Sequence, residues 1–151
     1  PAAIVDWAPF GSSPLGSPPS LTTLTRDVYS PEAVQRLHPA LVLRGAQTLA
    51  HGLASLHASG ICHGDVYAHN ILVSPDRRWM RLGDFGASFF YRGKEAVGLR
   101  GEDLEKVEVC AFGRLVLELL DHLPREQQEG AGRDRWGAAL DGLRELAGKC
   151  V

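Results

Sequence analysis

HGDVYAHNILVSPDRRWMRLGDFG, residues 63–86, sets two acids and an amide, Asp65, Asn70 and Asp84, close together among short apolar runs. Ile71-Leu72-Val73 is a brief aliphatic, β-branched run, Pro75-Asp76 signals a turn, and Trp79-Met80-Arg81-Leu82 reads as a return strand. This pattern predicts a β-hairpin. A hairpin brings its ends together, so Asn70 just before the first strand and Asp84 just after the second are expected side by side. Hard oxygen ligands meeting at that open end suit Mg²⁺, which takes one or two protein oxygens together with substrate phosphates.

The residues resemble the catalytic core of protein kinases. That family carries a catalytic loop, H-R-D-x-x-x-x-N, and a metal-binding D-F-G; here they read His63-Gly64-Asp65 with Asn70, then Asp84-Phe85-Gly86. Gly64 stands where the family usually has Arg. At average usage of roughly 5% per residue type, a fixed tripeptide recurs about once in 8,000 positions, so finding DFG at the usual interval after such a loop is specific. A buried hairpin with satisfied surface carboxylates is the alternative account. The resemblance implies that Asp65 accepts or orients the acceptor hydroxyl's proton, that Asn70 and Asp84 hold Mg²⁺ against ATP phosphates, and that Leu72 forms an apolar floor under adenine. Leu72 also reads as ordinary hairpin core. His63 and Phe85 are expected to pack internally.

The 151 residues suit a single domain, and a net charge of −2 leaves no basic footprint for nucleic acid or anionic membrane. Cys62, Cys110 and Cys150 are odd in number and in no C-x-x-C pair, which favours free thiols in a reducing compartment. The histidines offer no zinc pattern: His51 and His57 fall on different faces of a helix, as solvated or capping residues. With no long apolar run and no leader, the chain reads as cytoplasmic.

Ala2 to Val5 reads as a short strand, which the resemblance makes the last of the small lobe running into the hinge, with backbone near residues 5–7 facing adenine. Residues 9–19, rich in Gly, Ser and Pro, read as a linker or loop. Ser30-Pro31-Glu32 is a helix start. A longer helix spans residues 39–58, with Val42, Ala46, Leu49, Leu53 and Leu56 on one stripe and Ser59-Gly60 as its stop. Residues 87–101 read as the activation segment; it is short, with 24 positions from Asp84 to Glu108 and no Ala-Pro-Glu triplet.

Glu108-Val109-Cys110-Ala111-Phe112-Gly113 is expected to open a helix with Val109, Phe112, Val116, Leu119 and Leu120 inward. It resembles the D-V-W-S-F-G start of the kinase central helix, whose acid holds the catalytic-loop backbone; a first-turn Glu is also simply good helix chemistry. Pro124 breaks the chain, 125–132 read as a loop, and Trp136, Leu140, Leu143 and Ala147 mark a last amphipathic helix.

The expected fold is therefore mainly α within an α+β class: a kinase-like large C-terminal lobe with a small β-hairpin at the site and the small lobe absent. Residues 1–19 would be the hinge-proximal strand and loop, and 20–151 a partial lobe truncated at both ends, since neither a Gly-rich loop nor a Val-Ala-x-Lys strand is present. The expected function is Mg²⁺- and ATP-dependent phosphoryl transfer to a Ser/Thr or Tyr hydroxyl of a protein substrate, in an enzyme completed by an N-terminal lobe outside this chain. This piece alone is expected to be inactive.

His-Gly-Asp is also the form used by aminoglycoside and choline phosphotransferases, so a small-molecule kinase is one alternative; a non-catalytic pseudokinase interaction module is another. The Tyr67-Ala68-His69-Asn70 wording and short activation segment are similar to bacterial protein kinases that accompany leucine-rich repeats, which makes such repeats an expected partner in the same protein.

Overall fold

The computed structural model describes residues 8–23, 27–91, 100–124 and 130–151, with backbone alone at 130–134. The predicted strand at Ala2 to Val5 lies outside the described residues. The fold is α+β and mostly helical.

The predicted hairpin is present. β1 (Ser13–Pro14) pairs antiparallel with β3 (Ile71–Val73), and β3 with β4 (Met80–Leu82), in the order β1-β3-β4. Ser74 Oγ accepts from the backbone N–H of Arg78 (2.9 Å) and of Trp79 (3.2 Å), closing the turn. A second small sheet joins β2 (Ile61–Cys62) to β5 (Phe89–Phe90), with Cys62 opposite Phe89.

Residues 9–19, expected as a linker or loop, also supply a strand. Leu15 donates its N–H to the Ile71 carbonyl (2.8 Å) and is buried, because a third strand both pairs the outer edge of β3 and seals the core beneath it.

Helix α1 (Pro31–Gln35) starts as expected, with Ser30 Oγ accepting from Ala33 N–H (3.1 Å). Helix α2 (Pro39–Ala58) has the predicted bounds, and Val42, Ala46, Leu49 and Leu53 are all buried. Its stripe packs on Met80 of β4, and Gly45 lets the two elements approach closely: a Cβ there would stand 2.5 Å from Met80 Sδ.

Helix α3 (Gly101–Asp121) begins seven residues earlier than expected, anchored by acids at Glu102 and Asp103 near its positive end. Glu108 therefore sits inside the helix and is buried, and Val109, the next residue round at about 100°, is 38% exposed rather than inward. Leu115, Val116, Leu119 and Leu120 do face the core.

Residues 125–129 lie outside the described residues, but Gly130 to Gly132 are helical, not loop, and open α4 (Gly130–Cys150). Leu140 and Ala147 are buried and Trp136 and Leu143 pack against the same core. α3 and α4 cross closely at Gly113, where a Cβ would meet Cys150 Cβ at 2.7 Å and the Ala147 carbonyl at 2.9 Å.

Candidate active site

Short β2 ends at Cys62 and hands the chain to the loop 63–70. His63 is fully buried. Its Nδ1 faces the Asp65 N–H (3.3 Å) and its Nε2 the Gly83 carbonyl (2.8 Å), so hydrogen-bond chemistry puts the proton on Nε2. The ring also meets Phe85 edge-on at 4.9 Å. His63 packs internally as expected, whereas Phe85 is only half-buried; their contact ties the loop to the residues after β4.

Gly64 has φ +84, and a Cβ there would stand 2.5 Å from the Ala87 carbonyl oxygen. Only glycine takes that conformation without strain. Its N–H donates to Glu108 Oε1 (2.7 Å), while Glu108 Oε2 pairs with His57 Nε2 (2.7 Å). Glu108 therefore does reach the loop backbone, from the end of the second turn of α3 rather than the first. His57 is neither solvated nor a cap, because the buried carboxylate needs a second partner and α2 ends beside it.

Asp65 and Asn70 are joined directly. Asn70 Nδ2 donates to Asp65 Oδ2 (2.7 Å) and to the Asp65 carbonyl (2.9 Å). Both partners are acceptors, which fixes the amide orientation and turns Oδ1 away from them. Asn70 is buried, and its carbonyl accepts the Gly83 N–H (2.8 Å) one step beyond the Ile71–Leu82 pair.

The ladder thereby delivers Asp84 to the same open end. Asp84 is exposed, adopts φ +46, and accepts the Gly86 N–H on Oδ1 (3.0 Å). Left-handed backbone at a non-glycine residue is uncommon and aims this carboxylate off the line of β4. Leu72 is half-buried, opposite Arg81 on one side and Pro14 on the other.

Two partners lacked a local signal in the sequence. Asp27, with its side chain 1% exposed, accepts the His69 N–H (2.9 Å) and pairs with His69 Nδ1 (2.8 Å); His69 Nε2 lies 3.6 Å from Asp65 Oδ2. Asp27 and His69 stand 42 positions apart, beyond any periodicity. His57 is the other, findable only by asking what satisfies Glu108.

The start of the segment after Gly86 is held in place. Ser88 Oγ donates to the His63 carbonyl (3.0 Å), and buried Tyr91 donates its hydroxyl to the His57 carbonyl (3.0 Å) with Glu105 alongside. Residues 92–99 lie outside the described ones. Burial, with Glu108 and Glu105 nearby, pushes the Cys62 thiol up to about 11. Burial beside Glu118 and Asp27 likewise raises the Tyr29 hydroxyl, which donates to Glu118 (3.3 Å).

Among curated proteins, the chain is similar to an inactive leucine-rich repeat receptor-like serine/threonine-protein kinase of Arabidopsis thaliana, 34% identical over 100 residues, covering 56% of this chain and 15% of that protein. It is 31% identical over 150 residues to dual specificity testis-specific protein kinase 1 of Mus musculus, covering 83% of this chain and 23% of that one. Against protein kinase gsk3 of Schizosaccharomyces pombe it is 29% identical over 87 residues, 48% of this chain and 22% of the relative. The chain spans less than a quarter of each of these proteins. The family described as protein tyrosine and serine/threonine kinase matches residues 21–122, a span that holds Asp65, Asn70, Asp84 and Glu108 together, and the chain belongs to that family.

Proposed function

We propose that the chain supplies the acceptor-binding and metal-holding half of a protein kinase active site, for transfer of a phosphoryl group from Mg²⁺-ATP to a hydroxyl of a protein substrate. The Asn70 amide carries this reading. With Nδ2 committed to Asp65, Oδ1 takes no hydrogen bond among the described residues, and Asp84 stands at the same end of the hairpin with Oδ2 likewise unbonded. A side-chain amide oxygen and an exposed carboxylate are hard donors that fit Mg²⁺. When bound, that ion would neutralise charge spreading over the transferred phosphoryl oxygens.

The chain's own residues do the rest. Asn70 holds one oxygen of Asp65 and leaves the other to take the acceptor hydroxyl's proton, and the Gly64–Glu108 hydrogen bond keeps the loop backbone in place while it does so. Leu72 offers an apolar surface to the adenine. In this reading the fold is the kinase large C-terminal lobe in a cytoplasmic protein, the Gly-rich loop and strand lysine belong to a small lobe outside these 151 residues, and a Ser/Thr or Tyr protein is the acceptor. Leucine-rich repeats in the same protein are its proposed companion, since one relative's name carries them.

That same relative is named inactive, which favours a second reading, a non-catalytic docking lobe. The Asp65–Asn70 hydrogen bond, with Asp84 at the same end of the hairpin, supports the enzyme over it. The test is full-length protein with labelled ATP and Mg²⁺. Asp65→Asn is expected to cost about 10²–10⁴-fold in turnover while sparing nucleotide binding, and Asp84→Asn to weaken Mg²⁺-nucleotide binding itself. Wild-type turnover in Asp65→Asn overturns the assignment; no turnover in the wild type, with nucleotide binding intact, supports the docking lobe.

A further inference from the structure

Three side chains of metal-ligating type converge behind the loop 63–70. His57 Nε2 comes from the last turn of α2, the Cys62 sulfur from β2 and a Glu108 carboxylate oxygen from α3, and the ligating atoms all lie within 4.8 Å of one another. The group is enclosed: side-chain exposure is 12% at His57 and 5% at Glu108, and Cys62 is 2% exposed. Positions 57, 62 and 108 fit no metal-binding spacing, so the cluster exists only once the three elements have packed.

The charge around it is an independent sign. Glu105 lies one turn before Glu108 on α3, and after burial these two carboxylates are what push the Cys62 thiol up. Neither meets a lysine or arginine among the described residues: Glu105 takes the Tyr91 hydroxyl, and Glu108 the Gly64 N–H and His57. A desolvated carboxylate is costly without a cation beside it, and a divalent ion at this point would compensate both. Nitrogen, sulfur and oxygen donors together suit Zn²⁺, whereas Mg²⁺ takes oxygens alone. Tetrahedral Zn²⁺ sets its ligands roughly 3.3–3.7 Å apart, so the 2.7 Å His57–Glu108 contact must open and the widest one close, each by about 1 Å, through rotation of side chains.

We infer that His57 Nε2, the Cys62 sulfur and Glu108 Oε2 form a Zn²⁺ site, with a water as fourth ligand. Binding exchanges protons for the ion: the Cys62 thiol and His57 Nε2 each give up the hydrogen they carry, to solvent or, for the imidazole, to Nδ1. Glu108 Oε1 stays on the Gly64 N–H, so the loop keeps its support. The ion would staple α2, β2 and α3 together directly behind that loop. The site uses none of Asp65, Asn70 and Asp84 and does not depend on phosphoryl transfer.

The test is Co²⁺ titration of the chelator-stripped full chain, read at the near-ultraviolet band that a cobalt–thiolate bond produces, then displacement with Zn²⁺ and, separately, with Mg²⁺. A saturable band that Zn²⁺ abolishes and Mg²⁺ does not is expected. Cys62→Ser should lose the band, and His57→Gln, which keeps a donor for Glu108, should bind Zn²⁺ roughly tenfold or more weakly. Zn²⁺ should raise the thermal midpoint of the wild type more than that of either variant. No thiolate band in the wild type, an equal band in Cys62→Ser, or displacement by Mg²⁺ overturns the proposal. Should Cys62→Ser fail to fold, His57→Gln decides: unchanged Zn²⁺ affinity there overturns the site by itself.

Discussion

Glu108 is the buried charge on which the loop backbone hangs. Its two oxygens take the Gly64 N–H and His57 Nε2, so truncation strands both donors in an apolar setting. Glu108→Ala is expected to cost about 1–3 kcal/mol in urea unfolding, whereas Glu108→Gln keeps an oxygen for Gly64 and should lose less. Cys62 next to it is a poorly reactive thiol. With its pKa pushed up to about 11 against an ordinary 9.0, Cys62 carries roughly 10²-fold less thiolate near pH 8 than a thiol at that ordinary value, and should react with a disulfide reagent that much more slowly than a free cysteine peptide. The same shift has a stability consequence of definite sign. Below pH 9 the thiol is protonated in both states and contributes nothing; between 9 and 11 the unfolded chain ionises first, so stability falls as pH rises through that window. Cys62→Ala should flatten this part of the pH profile, and an unchanged slope would contradict the burial argument.

At the scale of elements, two glycines in long helices should respond in opposite directions to the same methyl group. Gly52, midway along α2, has open space where a Cβ would go, so Gly52→Ala gains helix propensity and should stabilise by about 0.5–1 kcal/mol. Gly113 lies where α3 crosses α4, with the Ala147 carbonyl 2.9 Å from a would-be Cβ. Backbone cannot rotate aside as a side chain can. Gly113→Ala is therefore expected to cost about 1–3 kcal/mol of overpacking, more than its propensity gain. Paired urea titrations check both, and equal shifts would mean that the helix crossing yields to the added methyl group. The hairpin depends on a different device, the unlooked-for β1, which pairs the free edge of β3 and so removes an exposed edge next to Asn70.

At the scale of the whole molecule, the kinase activity proposed above for the full-length protein is expected not to depend on phosphorylation of the segment after Gly86. Coupling of that kind needs a basic side chain beside the catalytic Asp to bind the added phosphate. Gly64 has none. The two hydroxyls between Asp84 and Glu108 are already engaged: Ser88 on the His63 carbonyl, and Tyr91, 7% exposed, on the His57 carbonyl and Glu105. Comparison of wild type with Ser88→Ala/Tyr91→Phe, each before and after phosphatase, should show phosphatase treatment without effect. A tenfold loss on treatment, about 1.4 kcal/mol in barrier terms, would show that another basic group has taken the missing arginine's part.

The local patterns were legible because each depends on neighbours in sequence. The 71–82 hairpin, the bounds of α2 and the stripe of α4 follow from turn chemistry, caps and periodicity, and the Asp65, Asn70 and Asp84 spacing pointed to one end of one hairpin. What the chain alone could not supply was every contact made across it. That Ser13–Pro14 would form a strand depended on an open edge at β3; that Val109 would turn outward depended on α3 starting at Gly101, which put Glu108 toward the loop; and Asp27 met His69 across 42 positions. Periodicity describes a single element about its own axis, whereas which buried polar group meets which partner is set only when the elements pack, because a desolvated carboxylate must find its donors wherever the fold has placed them.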